Sequence, residues 1–157
     1  MIQYGSSSTF YHHTFTDMES SMIQFLYILI LIIAGITDLF YKKIYNRFPF
    51  LIAILAILRI IHDPTLLQSS ILGFFVLSIP MLLLTLRLGG LGGGDIKLTA
   101  ACGLFLGADA LLVGFLIAGL LALTIRTALR LFHKQNAERT FAFGPFLSAG
   151  FILAAFL

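Results

Sequence analysis

Apolar residues fall into six segments, separated by short polar stretches, from Met22 to the end of the sequence. The segments cover about residues 22–37, 48–61, 66–88, 96–107, 110–131 and 141–157. Because lipid offers no partner to free backbone N–H and C=O groups, each segment is predicted to be a helix. A helix needs roughly 20 apolar residues to cross the hydrocarbon, so the second and fourth are predicted to be short, tilted or partly re-entrant. The pattern predicts an all-α polytopic membrane protein with six transmembrane helices.

Composition supports a membrane-embedded chain. Of the 157 residues 59% are hydrophobic and 11% charged, whereas about a quarter of the residues of a soluble domain are charged. Residues 1–21 are polar, rich in Ser, Thr and His, and lack Lys and Arg. We therefore expect a polar, flexible N-terminal tail over 1–21 and a six-helix membrane domain over 22–157.

The basic residues predict the orientation. Nine of the ten lie near the loops that join segments one and two, three and four, and five and six: Lys42, Lys43, Arg47, Arg87, Lys97, Arg126, Arg130, Lys134 and Arg139. The positive-inside rule places these loops in the cytoplasm of a multi-pass cell-membrane protein. The exception, Arg59, is predicted to pair with Asp63 near the outer face. Membrane orientation accounts for the basic residues, and no nucleic-acid partner is indicated.

Two aspartates differ from the other acidic residues. Asp38 closes the first apolar segment in "AGITDLFYKK", and Asp95 opens the fourth directly after the glycines of "GGLGGGDIKL". The six-helix topology puts both at the cytoplasmic ends of their helices and at the same depth. Taken alone, either aspartate is as well explained by a helix cap as by a functional role. Two aspartates at the same depth favour a functional site.

The chemistry that fits this pair is general acid–base catalysis. Two carboxyl groups that face one another share one proton, so that one acts as base and the other as acid on an amide carbonyl and an attacking water. Gly92 and Gly94 are expected to shape the loop, through unusual backbone angles and close approach of another chain. A flexible loop or tight helix packing would also explain them. No metal or cofactor is expected. The lone cysteine, Cys102, is predicted to be a small buried residue.

These motifs resemble the prepilin peptidases, the type IV leader peptidases among the membrane aspartic proteases with a Gly-x-Gly-Asp signature. "GGGD" ends at Asp95, and Asp38 is followed at matching offsets by basic residues, Ile44 and Asn46. Tyr45 stands where the family usually has proline. "FGPF", with Gly144 and Pro145, resembles a third family element. The resemblance covers residues 22–157.

The resemblance implies an aspartic endopeptidase with Asp38 and Asp95 as its catalytic residues. Its substrates would be prepilin or preflagellin-like proteins, whose short basic leader is cut at the cytoplasmic face of the bilayer. Larger members carry a methyltransferase region with CxxC pairs. This chain is similar to the peptidase-only forms, namely Flp/Tad-type prepilin and archaeal preflagellin peptidases.

Three other hypotheses remain open at this stage. A small ion- or proton-coupled transporter also uses intramembrane acids near glycine-broken helices, although its acids would lie near the membrane midplane. A non-enzymatic subunit of a secretion system gives no reason for both aspartates. Presenilin-like proteases share Gly-x-Gly-Asp but carry Tyr-Asp in their first motif, where this chain has Thr37-Asp38.

Overall fold

The computed structural model describes residues 7–41, 44–88, 92–132 and 143–156, and within these ranges the chain is helical and contains no β-strand. Six α-helices follow one another: α1 (Ser7–Tyr41), α2 (Arg47–His62), α3 (Leu67–Leu88), α4 (Gly93–Leu106), α5 (Ala108–Phe132) and α6 (Gly144–Ala154). A 3₁₀ turn, Pro64–Leu66, joins α2 to α3. Each predicted apolar segment corresponds to one helix, which confirms the all-α, six-helix class.

The helices fall into two length groups. The stretches Ser21–Tyr41, Pro64–Arg87 and Ala108–Ala128 are long and apolar enough to cross a membrane. In contrast, α2 has 16 residues, α4 has 14 and α6 has 11. The prediction that the second and fourth segments are short is confirmed, and α6 is shorter than the apolar segment that contains it.

The polar start of the chain is helical where the structure describes it. Helix α1 begins at Ser7, so residues 7–21 are helical and continue into the first candidate span. This stretch contains neither proline nor glycine, the two residues that most disfavour helix interiors, and nothing in its backbone ends the helix before the apolar part. The division of the chain at residue 21 stays a prediction.

Glycines set the close packing of two helix pairs. Helices α3 and α4 meet at Gly73 and Gly103, where a Cβ atom on Gly103 would lie 2.5 Å from the carbonyl carbon of Gly73. Helices α5 and α6 meet at Gly114 and Gly150, and a Cβ on Gly150 would lie 2.8 Å from Cβ of Ala118. Small residues are the usual contacts between membrane helices because they let backbones approach closely.

The remaining contacts complete the bundle. Helix α1 packs on α6 and α2, and α2 packs on α4. Large side chains fill the centre, among them Tyr27, Leu31, Ile52, Leu98 and Phe151, all fully buried. Many large apolar side chains point outwards instead, as expected for helices that contact lipid.

An aromatic and cationic cluster closes one end of the bundle. The rings of Tyr27 on α1 and Phe105 on α4 are stacked, with their centroids 4.0 Å apart. Arg59 on α2 lies over the same Phe105 ring, 5.0 Å from its centroid, and its Nη1 donates to the Phe105 carbonyl oxygen at 2.8 Å. That carbonyl belongs to the last turn of α4, where a cation is favoured by the helix dipole.

The prediction that Arg59 pairs with Asp63 is therefore wrong. Asp63 instead caps the 3₁₀ turn, and its Oδ1 accepts hydrogen bonds from the backbone N–H of Thr65 at 3.1 Å and from its hydroxyl at 2.6 Å. Arg59 finds a better-placed partner because a free carbonyl and a ring face lie together at the end of α4. We call this region, with Gln24, Tyr27, Arg59, Asp63 and Phe105, the turn end of the bundle.

Candidate active site

Asp38 lies in the last full turn of α1 and is buried, with 5% of its surface exposed. Its Oδ2 accepts a hydrogen bond from the backbone N–H of Gly144, 3.1 Å away. Gly144 begins α6, so this N–H is one of those that a helix leaves without an internal partner. The Asp38 carboxylate thus caps a helix other than its own, and the positive end of the α6 dipole favours its negative charge.

Only glycine fits at position 144. A Cβ atom there would collide with Asp38 Oδ2 and would lie 2.8 Å from Cγ of the same carboxylate. Pro145 occupies the first turn of α6, where its missing N–H costs no hydrogen bond. The "FGPF" element therefore builds the N-terminus of α6 directly against Asp38.

Asp95 lies in the first turn of α4, three residues after the N-cap Gly92, and is 9% exposed. Its carboxylate turns back over Gly92, where a Cβ would be 3.4 Å from Oδ2, and interacts with the Gly92 backbone N–H. The Asp95 N–H in turn donates to the Gly92 carbonyl oxygen at 3.0 Å. Asp95 is thus held by the helix end that carries it, as the third residue of a capping box is.

The two carboxylates act on one another electrostatically, although they come from different helices and are 57 positions apart in sequence. Two like charges in a poorly hydrated place cannot both ionise at low cost. Each carboxylate also has a helix N-terminus beside it, which favours one negative charge. Two carboxyl groups placed in this way can share one proton, and such a pair can take a proton at one position and give one at the other.

The segment before α2 packs against the start of α4. Ile44 is buried, and a Cβ on Gly94 would lie 2.8 Å from Ile44 Cβ and 3.2 Å from its carbonyl oxygen. Gly94 therefore serves close approach of another part of the chain. The expected unusual backbone angle is absent, since Gly107 is the only described glycine with positive φ. Gly107 makes the tight turn from α4 to α5.

A hydrogen bond ties the same two regions together on the surface. Lys97 Nζ donates to Asn46 Oδ1 at 3.2 Å, and both side chains are exposed. The sequence analysis assigned Lys97 to membrane orientation alone. Its contact with Asn46 is visible only in three dimensions, because the two residues belong to different motifs.

Helix α6 also contacts α1 one turn away from Asp38. A Cβ on Gly35 would lie 3.2 Å from Ser148 Oγ and 3.6 Å from Pro145 Cα. The sequence analysis missed Gly35 and Ser148. A signal existed, since Gly35 is three residues before Asp38 and so shares its helix face.

Some of the predicted positions lie outside the described residues, namely Lys42, Lys43, Lys134, Arg139 and 89–91 of the glycine stretch. Of the named site residues, the structure brings Asp38, Gly144 and Pro145 together, and it brings Asp95, Gly92, Gly94, Ile44 and Asn46 together. The link between the two groups is the charge of Asp38, which acts on Asp95. Within the described ranges, no three His, Cys, Asp or Glu side chains are grouped as a metal site requires.

Comparisons with known proteins agree with the motifs. Residues 25–126, which include both aspartates, match the type IV leader peptidase family. The chain is 32% identical over 134 residues to the prepilin leader peptidase/N-methyltransferase of Bacillus subtilis (strain 168). That alignment covers 82% of this chain and 53% of the relative, so the chain spans about half the length of the curated protein it matches. No solved structure matches the chain.

Proposed function

Because the chain belongs to the type IV leader peptidase family, we propose that it is a membrane aspartic endopeptidase that removes the short basic leader from prepilin-like proteins. The observation that carries the aspartic mechanism is the burial of two carboxylates, each at the N-terminus of a helix, with Asp38 acting electrostatically on Asp95. The name of the Bacillus subtilis relative, a prepilin leader peptidase, supports the substrate class.

In this mechanism Asp38 and Asp95 share one proton and hold the attacking water between them. The ionised carboxylate takes a proton from the water as its oxygen attacks the scissile carbonyl carbon, and the protonated carboxyl gives its proton to the carbonyl oxygen. The tetrahedral intermediate then collapses: the carboxyl that took the proton from water gives it to the leaving nitrogen, one hydroxyl of the intermediate gives its proton to the other carboxylate, and the C–N bond breaks. The pair ends with the one proton it began with.

The positions of the two aspartates also bear on the transporter hypothesis. Asp38 lies three residues before the end of its candidate span, and Asp95 lies in the first turn of α4. Ion-coupled transporters keep their acidic groups near the middle of the bilayer. Carboxylates at helix ends instead suit a substrate whose scissile bond lies at the membrane edge, as the junction of a basic leader and an apolar helix does.

Substitution of each aspartate tests the mechanism. Asp38→Asn and Asp95→Asn keep the size of the side chain and remove its acid–base chemistry, so each is expected to abolish leader removal from a co-expressed prepilin. Cleavage is read by the mobility shift of the shortened product. Asp109→Asn is the matched control, because Asp109 is exposed at the start of α5. Normal cleavage by either variant of the pair would remove that aspartate from the mechanism.

The proposal places the site at the cytoplasmic face, where uncut leaders lie. The variants Tyr41→Cys and Thr65→Cys, each in a Cys102→Ser background, test this placement. Both positions are exposed, and they lie at opposite ends of the bundle. The Tyr41 cysteine is expected to resist an impermeant thiol reagent in intact cells and to react after lysis, while the Thr65 cysteine reacts in intact cells. The reverse labelling would put the carboxylates on the wrong side for leader cleavage.

A further inference from the structure

The aspartates lie on helices that share a neighbour. Helix α1 packs along α6 and α2, whereas α4 packs along α3 and α2. Residues 44–46 lead directly into α2 and follow Asp38 by six to eight positions. At the end of the bundle that carries Asp38 and Asp95, the aspartate end, residues 44–46 are the described part of the α1–α2 connection, and they contact the helix that carries Asp95.

Two contacts hold the segment, and they act in opposite directions. Ile44 packs so closely on Gly94 that an added Cβ would lie only 2.8 Å from Ile44 Cβ, and this packing on the glycine backbone limits how much closer the segment can come to α4. The hydrogen bond from Lys97 Nζ to Asn46 Oδ1 limits how far the segment moves away. A contact that prevents approach and a bond that prevents separation together fix a distance.

We infer that Lys97 is a positioning residue for peptide cleavage: through Asn46 it holds the chain that follows Asp38 against the helix that carries Asp95, and so it sets the separation of the two carboxylates. This inference rests on the proposed function. It assigns to Lys97 a part in the reaction beyond membrane orientation.

The geometry favours this role over a direct action of the Lys97 charge on Asp95. Residues two positions apart on a helix do not face one another, so an ammonium at position 97 points away from a carboxylate at 95. Asp95 is buried whereas Lys97 is exposed, and solvent weakens a charge that lies outside the site. Lys97 donates instead to the neutral amide of Asn46.

A double-mutant cycle tests the inference: Lys97→Met, Asn46→Ala and the double variant, purified in detergent. The substrate is the full-length prepilin that the wild type cleaves fastest. Each single variant is expected to lower kcat about tenfold and to leave KM within about twofold, since misplaced catalytic groups slow the chemical step. The double variant is expected to be no slower than either single one, because both changes remove the same bond. Lys97→Arg, which keeps a donor, should retain most of the activity.

Arg87→Met is the matched control, because Arg87 is an exposed basic residue at the end of α3 and forms no hydrogen bond or ion pair with either motif among the described residues. Three results would each overturn the inference. The kcat of the double variant could fall by the product of the two single losses, Lys97→Met could keep full activity, or Arg87→Met could lose as much kcat as Lys97→Met. If Lys97→Met fails to accumulate in the membrane, Asn46→Ala and Lys97→Arg test the inference instead. A low kcat of Asn46→Ala together with a near-normal kcat of Lys97→Arg would support the positioning role. Any other pair of results would contradict it.

The outcome is separable from the proposed function. Cleavage by Asp38→Asn and Asp95→Asn at the wild-type rate would mean that the protease mechanism is wrong. Loss of cleavage in both, with Lys97→Met fully active, would leave the mechanism in place and overturn only the positioning role.

Discussion

The two ends of the bundle treat their polar side chains differently. At the turn end three of them have partners: Arg59 has a carbonyl and a ring face, Asp63 has the amide and hydroxyl of Thr65, and Gln24 donates to the Ala155 carbonyl at 2.6 Å. At the aspartate end two buried carboxylates have backbone N–H groups as their donors, and the charge of Asp38 acts on Asp95. The first arrangement stabilises the fold, and the second places two mutually repelling groups where they could react.

The difference suggests how to separate stability from activity by mutation. Substitutions at the turn end should lower the free energy of unfolding and spare cleavage, and those at the aspartate end should do the opposite. The following four variants test that division.

Gly144→Ala is expected to have the largest effect. The added methyl group would meet the Asp38 carboxylate, and a displacement of about 1 Å in a catalytic group costs on the order of 100-fold in rate. We expect kcat/KM for prepilin cleavage to fall by about that factor while the protein still inserts in the membrane. Gly119→Ala is the control, because a Cβ at Gly119 meets no atom within 4 Å. Equal activity of the two variants would show that Asp38 need not stay where Gly144 holds it.

Gly94→Val should slow cleavage by about tenfold. A branched side chain at position 94 would push Ile44 and its segment away from α4, since there is no space for a Cβ beside Ile44. Gly93→Val is the control from the same motif, because its Cβ position is open. If both valine variants cleave at the same rate, the contact between Ile44 and Gly94 has no part in the site.

Gly94 also shows which features of the site could be predicted from the sequence and which could not. The apolar pattern predicted all six helices, because the period and length of apolar segments reflect the lipid surroundings directly. The motifs selected Asp38, Asp95 and "FGPF". The reason for glycine at 94 was only half predicted: the close approach is there and the unusual backbone angle is not. Which chain comes close to a glycine depends on the tertiary packing, and no local pattern contains it.

The dependence on tertiary packing also explains why the partners of Arg59 and Lys97 were not predicted from the sequence. Their partners, the Phe105 carbonyl and the Asn46 amide, are 46 and 51 positions away in sequence. The sequence suggested Asp63 for Arg59 because a nearby acid is the simplest partner for a cation. A free carbonyl at a helix end is present in every helix, and nothing in the composition indicates which cation will reach it.

Arg59→Met tests the other end of the comparison. Loss of the hydrogen bond and of the contact with the Phe105 ring should lower the free energy of unfolding by about 1–3 kcal/mol. Thermal unfolding in detergent is expected at a lower temperature, with kcat/KM for the prepilin within about twofold of the wild type below that temperature. A large loss of cleavage without loss of stability would mean that the two ends are not separate.

The smallest effect is expected from Thr99→Val. The Thr99 hydroxyl is fully buried and, among the described residues, has no hydrogen-bond partner. Other helix hydroxyls, such as Thr85 and Thr127, donate to the carbonyl four residues earlier. Replacing the hydroxyl by a methyl group of the same shape should raise the free energy of unfolding by about 1 kcal/mol and leave cleavage unchanged. A tenfold loss of cleavage would instead add Thr99, one turn beyond Asp95, to the site.

The glycine contacts described for the fold have a consequence for motion. Gly73 with Gly103 and Gly114 with Gly150 lock α3 to α4 and α5 to α6, so each pair moves as one body. Asp95 belongs to the first body, and Gly144, which holds Asp38, belongs to the second. A sliding of one body against the other changes the gap between the carboxylates without separating either glycine contact. The distance between the two carboxylates therefore depends on how the two bodies sit against each other, and the bond from Lys97 to Asn46 is one of the contacts that can hold it.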